Sequence, residues 1–145
     1  MPVEEKDIWR KSILRYAGYA NEVGESFRPI FPQFVIPSYI VAFAYVLGDT
    51  QDKARKASSS EKYIQAFDTL IWQTLASVIM PGFTINRVVH VAKKYIKYPT
   101  PQLQIWGPTF IGLATIPIII HPIDNAVDYL FDSTLRPYFF KDKKR

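Results

Sequence analysis

His121 and Asp124 stand three residues apart across Pro122, in the string HPID, and come nearer to chemistry than any other pair in this 145-residue sequence. An imidazole and a carboxylate one helical turn apart could orient a proton or hold a cation. Pro122 between them leaves that spacing open, and in the simpler reading His121 hydrogen-bonds a backbone carbonyl freed by Pro117 or Pro122. Beyond them, Asp124, Asp128 and Asp132 recur at i, i+4 as a stripe of carboxylates. The stripe is either a solvated face or a docking face for Arg and Lys of a partner. A basic band of Arg87, His90, Lys93, Lys94 and Lys97 is a second candidate for contact, and Arg87 could pair with Asp124 or Asp128. At a membrane boundary such a band reads first as a helix end touching phospholipid headgroups.

Other chemistry is missing. The sequence contains no GxSxG, no glycine loop that cradles phosphate and no metal-ligand pair of histidines. It has no cysteine, so it offers no disulfide, thiol nucleophile or thiolate metal site. No catalytic, cofactor-binding or metal residue is therefore expected, and neither is a small-molecule substrate. The interaction candidates are Asp124, Asp128, Asp132, Arg87 and His121.

The elements that must position these residues follow from where charge is absent. Pro29 to Gly48 and Thr69 to Asn86 carry no charged side chain, and neither does the stretch from Tyr98 to Ile123. A helix needs about 20 such residues to cross the hydrocarbon core. The reading is an all-α integral membrane bundle with about three kinked transmembrane segments, at 29–48, 69–86 and 102–121. An amphipathic helix over 5–28 precedes them and another over 123–136 follows. Pro37, Pro81-Gly82, Pro117 and Pro122 are expected to kink or break the helices that hold them. Gln73, Thr74 and Ser77 are expected to face other helices, and Ala76 and Ser77 to let backbones approach closely. The N-terminal helix either lies in the interface, with Trp9, Tyr16 and Tyr19 as anchors, or packs on other helices of the chain. Asp49 to Lys62, with its serine triplet, reads as a solvated mobile connector.

The net charge of +5 suits an anionic membrane surface better than nucleic acid, because no polar basic segment is interleaved with aromatics. A mean hydropathy near zero (−0.03) averages apolar runs with strongly charged connectors. The opening MPVEEKD is acidic and leads into no apolar core, so no cleavable leader is expected. The basic tail at 141–145 is expected to be disordered or on headgroups. With three spans, Lys and Arg divide equally between the two sides, so the charge rule assigns no orientation.

Three blocks carry a family resemblance: RYAGYANEVGESFRP at 15–29, DTLIWQTLASVIMPGFTINRVV at 68–89 and GLATIPIIIHPIDNAVDYLFDSTLR at 112–136. They resemble, in order, the family of mitochondrial fission process protein 1, also called mitochondrial 18 kDa protein. The resemblance implies a multi-pass, non-enzymatic protein of the mitochondrial inner membrane, tied to mitochondrial division and inner-membrane organisation and without a cofactor. It brings no family binding residues. Two roles fit: an organiser that binds other inner-membrane proteins, or an accessory structural subunit of a large assembly such as a respiratory chain complex or ATP synthase. A small transporter using His121 and Asp124 is less apt, because that charge sits near the end of its span.

Overall fold

The computed structural model describes residues 7–139, and within them the chain is helical, with no strand. Four helical runs pass up, down, up and down. The first joins α1 (Ile8–Lys11), a 3-10 segment (Ile13–Tyr19) and α2 (Ala20–Phe27). The second is α3 (Val35–Lys56). The third joins α4 (Lys62–Gln73), a π-helical segment (Thr74–Ile79) and α5 (Met80–Tyr95). The fourth is α6 (Pro101–Ser133), after which α7 (Arg136–Phe139) forms a final turn. Cross-contacts fix the directions. Trp9 lies against Tyr45 on α3, Arg15 bonds Asp124 on α6, and Glu25 bonds Asn86 on α5.

The N-terminal run therefore packs on other helices of the chain, one of the two readings expected of it. Its α2 packs against α3, α5 and α6. One end of the bundle carries the start of the first run, the 57–61 connector and the end of α6; the other carries residues 28–34 and the 96–100 loop. Among the described residues, Arg28, Arg87, Lys93, Lys94 and Lys97 gather at the second end. All described acids except Glu22 and Glu25 lie toward the first. This departs from the equal division that three spans gave. Residues 5 and 6 of the expected N-terminal helix and the tail at 141–145 lie outside the described residues.

None of the prolines expected to kink or break a helix breaks the helical run that holds it. Pro37 sits in the first turn of α3, where backbone donors have no intrahelical acceptor in any case. Pro81-Gly82 does not end the third run. The wider π turn lies just upstream of Pro81, where the ring would otherwise crowd the carbonyl four residues back. Pro108, Pro117 and Pro122 all lie within α6, which runs unbroken through the expected span at 102–121 and the expected amphipathic helix at 123–136. Each proline removes one bond from a helix of 33 residues that is held along its length by α2, α4 and α5. Likewise Asp49 to Lys56 continues α3 rather than opening a mobile connector, and only 57–61 is non-helical there.

The bundle buries polar side chains within an apolar core and exposes large apolar ones. Asn21, Glu22, Ser26, Asp49, Gln73, Ser77 and Thr109 are 0 % exposed. Ile36, Ile40, Leu47, Phe83, Phe110 and Ile118 are each at least 60 % exposed. Three apolar clusters separate the polar contacts: Tyr19, Ile85, Val89 and Ile116; Ala42, Tyr45, Val46 and Val78; and Trp72, Ala76, Val127 and Phe131. The last buries Val127 and Phe131 of the apolar face expected after Pro122, while Leu130 stays exposed. Two runs, Lys62–Tyr95 and Pro101–Ser133, are long and apolar enough to cross a membrane.

Close packing rests on small residues. A Cβ on Gly24 would overlap the Ser38 hydroxyl, and one on Gly112 would lie 2.7 Å from Ser26 Oγ and 2.8 Å from Val89 Cγ2. Gly24→Ala should therefore push α2 and α3 apart and cost about 1–3 kcal/mol, as overpacking does. Val23→Ala, at a side chain 41 % exposed, should cost less than about 0.5 kcal/mol. Thermal unfolding of the two purified variants checks this, and equal melting temperatures would refute the close approach.

Candidate functional site

The residues able to do chemistry meet along the inside of the bundle, and Arg15 is their junction. Ser12 caps the 3-10 segment by accepting from Leu14 N at 3.2 Å, which sets the turn from which Arg15 points inward. Its guanidinium is 6 % exposed; Nη1 donates to Ser77 Oγ at 2.6 Å and Nη2 to Asp124 Oδ1 at 2.9 Å. The same group lies 4.5 Å from the Tyr19 ring centroid and 5.7 Å from that of Trp72. Ser77 passes the chain on by donating to the Gln73 side-chain oxygen. Gln73 Nε2 donates to Asp49 Oδ2 at 2.7 Å and to Tyr45 Oη at 3.3 Å. Lys53 Nζ then ties Asp49 (2.6 Å) to Asp7 (2.9 Å). Asp124, Arg15, Ser77, Gln73, Asp49, Lys53 and Asp7 thus form one seam joining all four runs.

Two smaller polar groups flank it. At the basic end, Glu25 accepts from Arg28 (2.7 and 2.9 Å), Tyr39 (2.8 Å) and Asn86 (3.0 Å). At the opposite end Arg136 reaches Asp68 (3.2 Å), Asp132 (3.0 Å) and Asp128 (3.4 Å), and Trp72 Nε1 donates to Asp128 at 2.7 Å. Burial works to raise the Asp7 carboxyl, but Lys53 and Arg10 outweigh it and hold Asp7 below the ordinary carboxylate range. The hydrogen bonds that Arg28 donates to Glu25 hold its guanidinium above its ordinary value. Burial works to lower Arg136, and Asp68 and Asp132 overcome it and raise the group. These are charges committed to partners. Among the described residues no group of three or more His, Asp or Glu stands ready to hold a metal ion.

The expected interaction residues are redistributed. Asp124 pairs with Arg15 inside the bundle, and Asp128 and Asp132, more exposed, pair with Arg136 of the same chain. Arg87 is not among them. It lies at the other end, where Nη2 donates to the Asn86 side-chain oxygen at 2.6 Å, and α6 emerges away from it. His121 is exposed and makes no hydrogen bond to a backbone carbonyl among the described residues; it lines a cavity with Asp124, Arg15 and Lys11. Gln73 and Ser77 face the interior as expected, whereas Thr74, half-buried, turns its hydroxyl back to Leu70 O. Sequence reasoning passed over Arg15, Asp49 and Glu25. Arg15, Asn21/Glu22 and Glu25 recur at helical spacing as a second, polar stripe, which is the signal that could have found them.

Arg15→Ala leaves Asp124 and Ser77 without their donor inside the bundle, an expected loss of about 3–5 kcal/mol. Adding Asp124→Ala should return part of that loss, because the stranded carboxylate is gone. Thermal unfolding of both single variants and the double variant measures the coupling, and strictly additive losses would show that the two groups act independently.

Comparison with known proteins places this geometry in a family. The family described as Mitochondrial 18 KDa protein (MTP18) matches residues 6–69 and 50–131. Mitochondrial fission process protein 1 of Homo sapiens is 46% identical over 149 residues, covering 93% of this chain and 89% of that protein. Its namesake in Caenorhabditis elegans is 47% identical over 156 residues, covering 95% and 93%, and that of Danio rerio 43% over 152 residues, covering 95% and 92%. No solved structure matches. With its apolar exterior and end-to-end similarity to these relatives, the chain belongs to the mitochondrial 18 kDa protein family, the mitochondrial fission process proteins.

Proposed function

We propose that this protein is a non-enzymatic, multi-pass component of the mitochondrial inner membrane that serves fission by binding other inner-membrane proteins. The observation that carries the membrane part is the inversion of polarity. In water, exposing Ile36, Ile40, Phe43 and Leu47 along one face of α3 while burying Asp49, Gln73 and Glu22 would lose hydrophobic stabilisation and add desolvation cost. In lipid the same arrangement is favourable on both counts, because hydrocarbon welcomes the outer side chains and polar groups must turn inward. The inner membrane is the location that the family resemblance implies, and the name of the relatives supplies fission. Contact with partners suits a bundle in which Arg15, Glu25 and Asp49 are held by groups of the same chain.

The chain contains no cysteine, so single cysteines report sidedness cleanly. Ser59→Cys and Ser133→Cys should be labelled by an impermeant maleimide from one side of the inner membrane, and Lys97→Cys only from the other. Alkaline carbonate washing should leave all three proteins in the pellet. Labelling of all three from the same side, or release by carbonate, would overturn the spanning reading. Native sizing after mild-detergent extraction then separates the two roles. Migration in fixed stoichiometry with a large complex marks an accessory subunit, and substoichiometric or heterogeneous association marks an organiser.

A further inference from the structure

We propose that the cavity between the 3-10 segment and α6 is a binding site for the phosphate of an acidic phospholipid, whose acyl chains run along the exposed face of α6. The inference rests on the spanning reading above and adds a specific lipid partner to it. The cavity has a volume of about 450 Å3 and sits where the charge-free part of α6 gives way to His121 and Asp124, the depth at which a headgroup meets the bundle. Its walls are of two kinds. Pro117 and Ile120 form the apolar wall, continuous with Ile118, which is 70 % exposed. Arg10, Lys11 and Arg15 line the polar wall with Asp124; Arg15 is bound to Asp124 and Arg10 lies 3.8 Å from Asp7 and Asp49, which leaves Lys11 as the cation without an acidic partner among the described residues.

The polar wall holds donors that the fold leaves unused. Arg15 Nε and Tyr19 Oη are buried, in residues 6 % and 3 % exposed, and neither has a hydrogen-bond partner among the described residues. Lys11 and His121 are exposed at the rim and make no ion pair among the described residues. A buried donor without an acceptor is costly, and a phosphate oxygen is the acceptor that a cationic setting selects. A neutral headgroup would bring its own cation into this positive setting. A phosphodiester with a net negative charge brings none, so acidic lipid should be preferred. Free phosphate shares the charge but has nothing to place against Pro117, Ile120 and Ile118.

The test is native mass spectrometry of the purified full chain in detergent with phosphatidylglycerol or phosphatidylcholine. Wild type should retain phosphatidylglycerol and discriminate against phosphatidylcholine. Lys11→Glu/His121→Glu alters two exposed rim residues and should fold normally by circular dichroism, yet lose phosphatidylglycerol affinity by about tenfold or more, the scale of two charges at a lipid surface. Lys93→Glu, at the other end of the bundle, should bind as wild type does. Equal retention of both lipids, or equal weakening by Lys93→Glu, would overturn the site in favour of diffuse attraction. Displacement of phosphatidylglycerol by excess inorganic phosphate would overturn the lipid in favour of a free anion. Failure of the spanning reading registers separately, in the cysteine labelling, which involves no acidic lipid.

Discussion

A guanidinium removed from water needs acceptors and ring faces, and Arg15 finds those for its two terminal nitrogens only where three other segments converge. Ser77 comes from the π-helical turn of the third run, Asp124 from α6, and the aromatic faces from Tyr19 and Trp72. Since Ser77 also bonds Gln73, and Gln73 bonds Asp49, the position of one cation constrains all four runs at once. A hydrophobic interior could slide by a turn at modest cost, because any apolar face fits another. A seam of directional hydrogen bonds cannot, since a one-turn shift would strand several buried groups together. Polar burial here supplies register, and the apolar clusters around it supply close packing.

The same requirement explains the irregular backbone. The N-terminal run tightens to 3-10 between Ile13 and Tyr19, and the third run widens to π between Thr74 and Ile79. These two departures face each other at Arg15 and Ser77. Each changes the rotation of the side chains that follow it. The tight segment brings Arg15 inward together with Gly18 and Tyr19, and the wide one brings Ser77 inward while making room for Pro81. Close approach follows from Gly24 against Ser38 and Gly112 against Ser26, where a methyl group has no space.

Much of the outline was legible in the sequence. Charge-free runs mark much of α3, the third run and α6, and Gln73 and Ser77 carry the signal of an inward face. The errors have one source, which is reading each segment as though alone. Proline in an isolated helix is a breaker, yet Pro117 and Pro122 lie in a helix clamped by its neighbours. Arg15 and Glu25 in an isolated helix argue for the water interface, yet here they have Asp124, Asn86 and Tyr39 to meet. Partners 109 residues apart in sequence, such as Arg15 and Asp124, leave no local trace. For the same reason the acidic stripe is legible in the sequence while Arg15 and Arg136, the cations that meet it, are not.

That separation also orders the making of the protein. Synthesis delivers the Ile8–Phe27 run first and the carboxylate that completes it almost last. In between, Arg15 lacks the Ser77 and Asp124 groups that hold it, while Glu25 already has Arg28 three residues on. The first run is thus completed by the last long helix, and a chain truncated before Asp124 keeps most of its apolar segments yet leaves that guanidinium without its carboxylate.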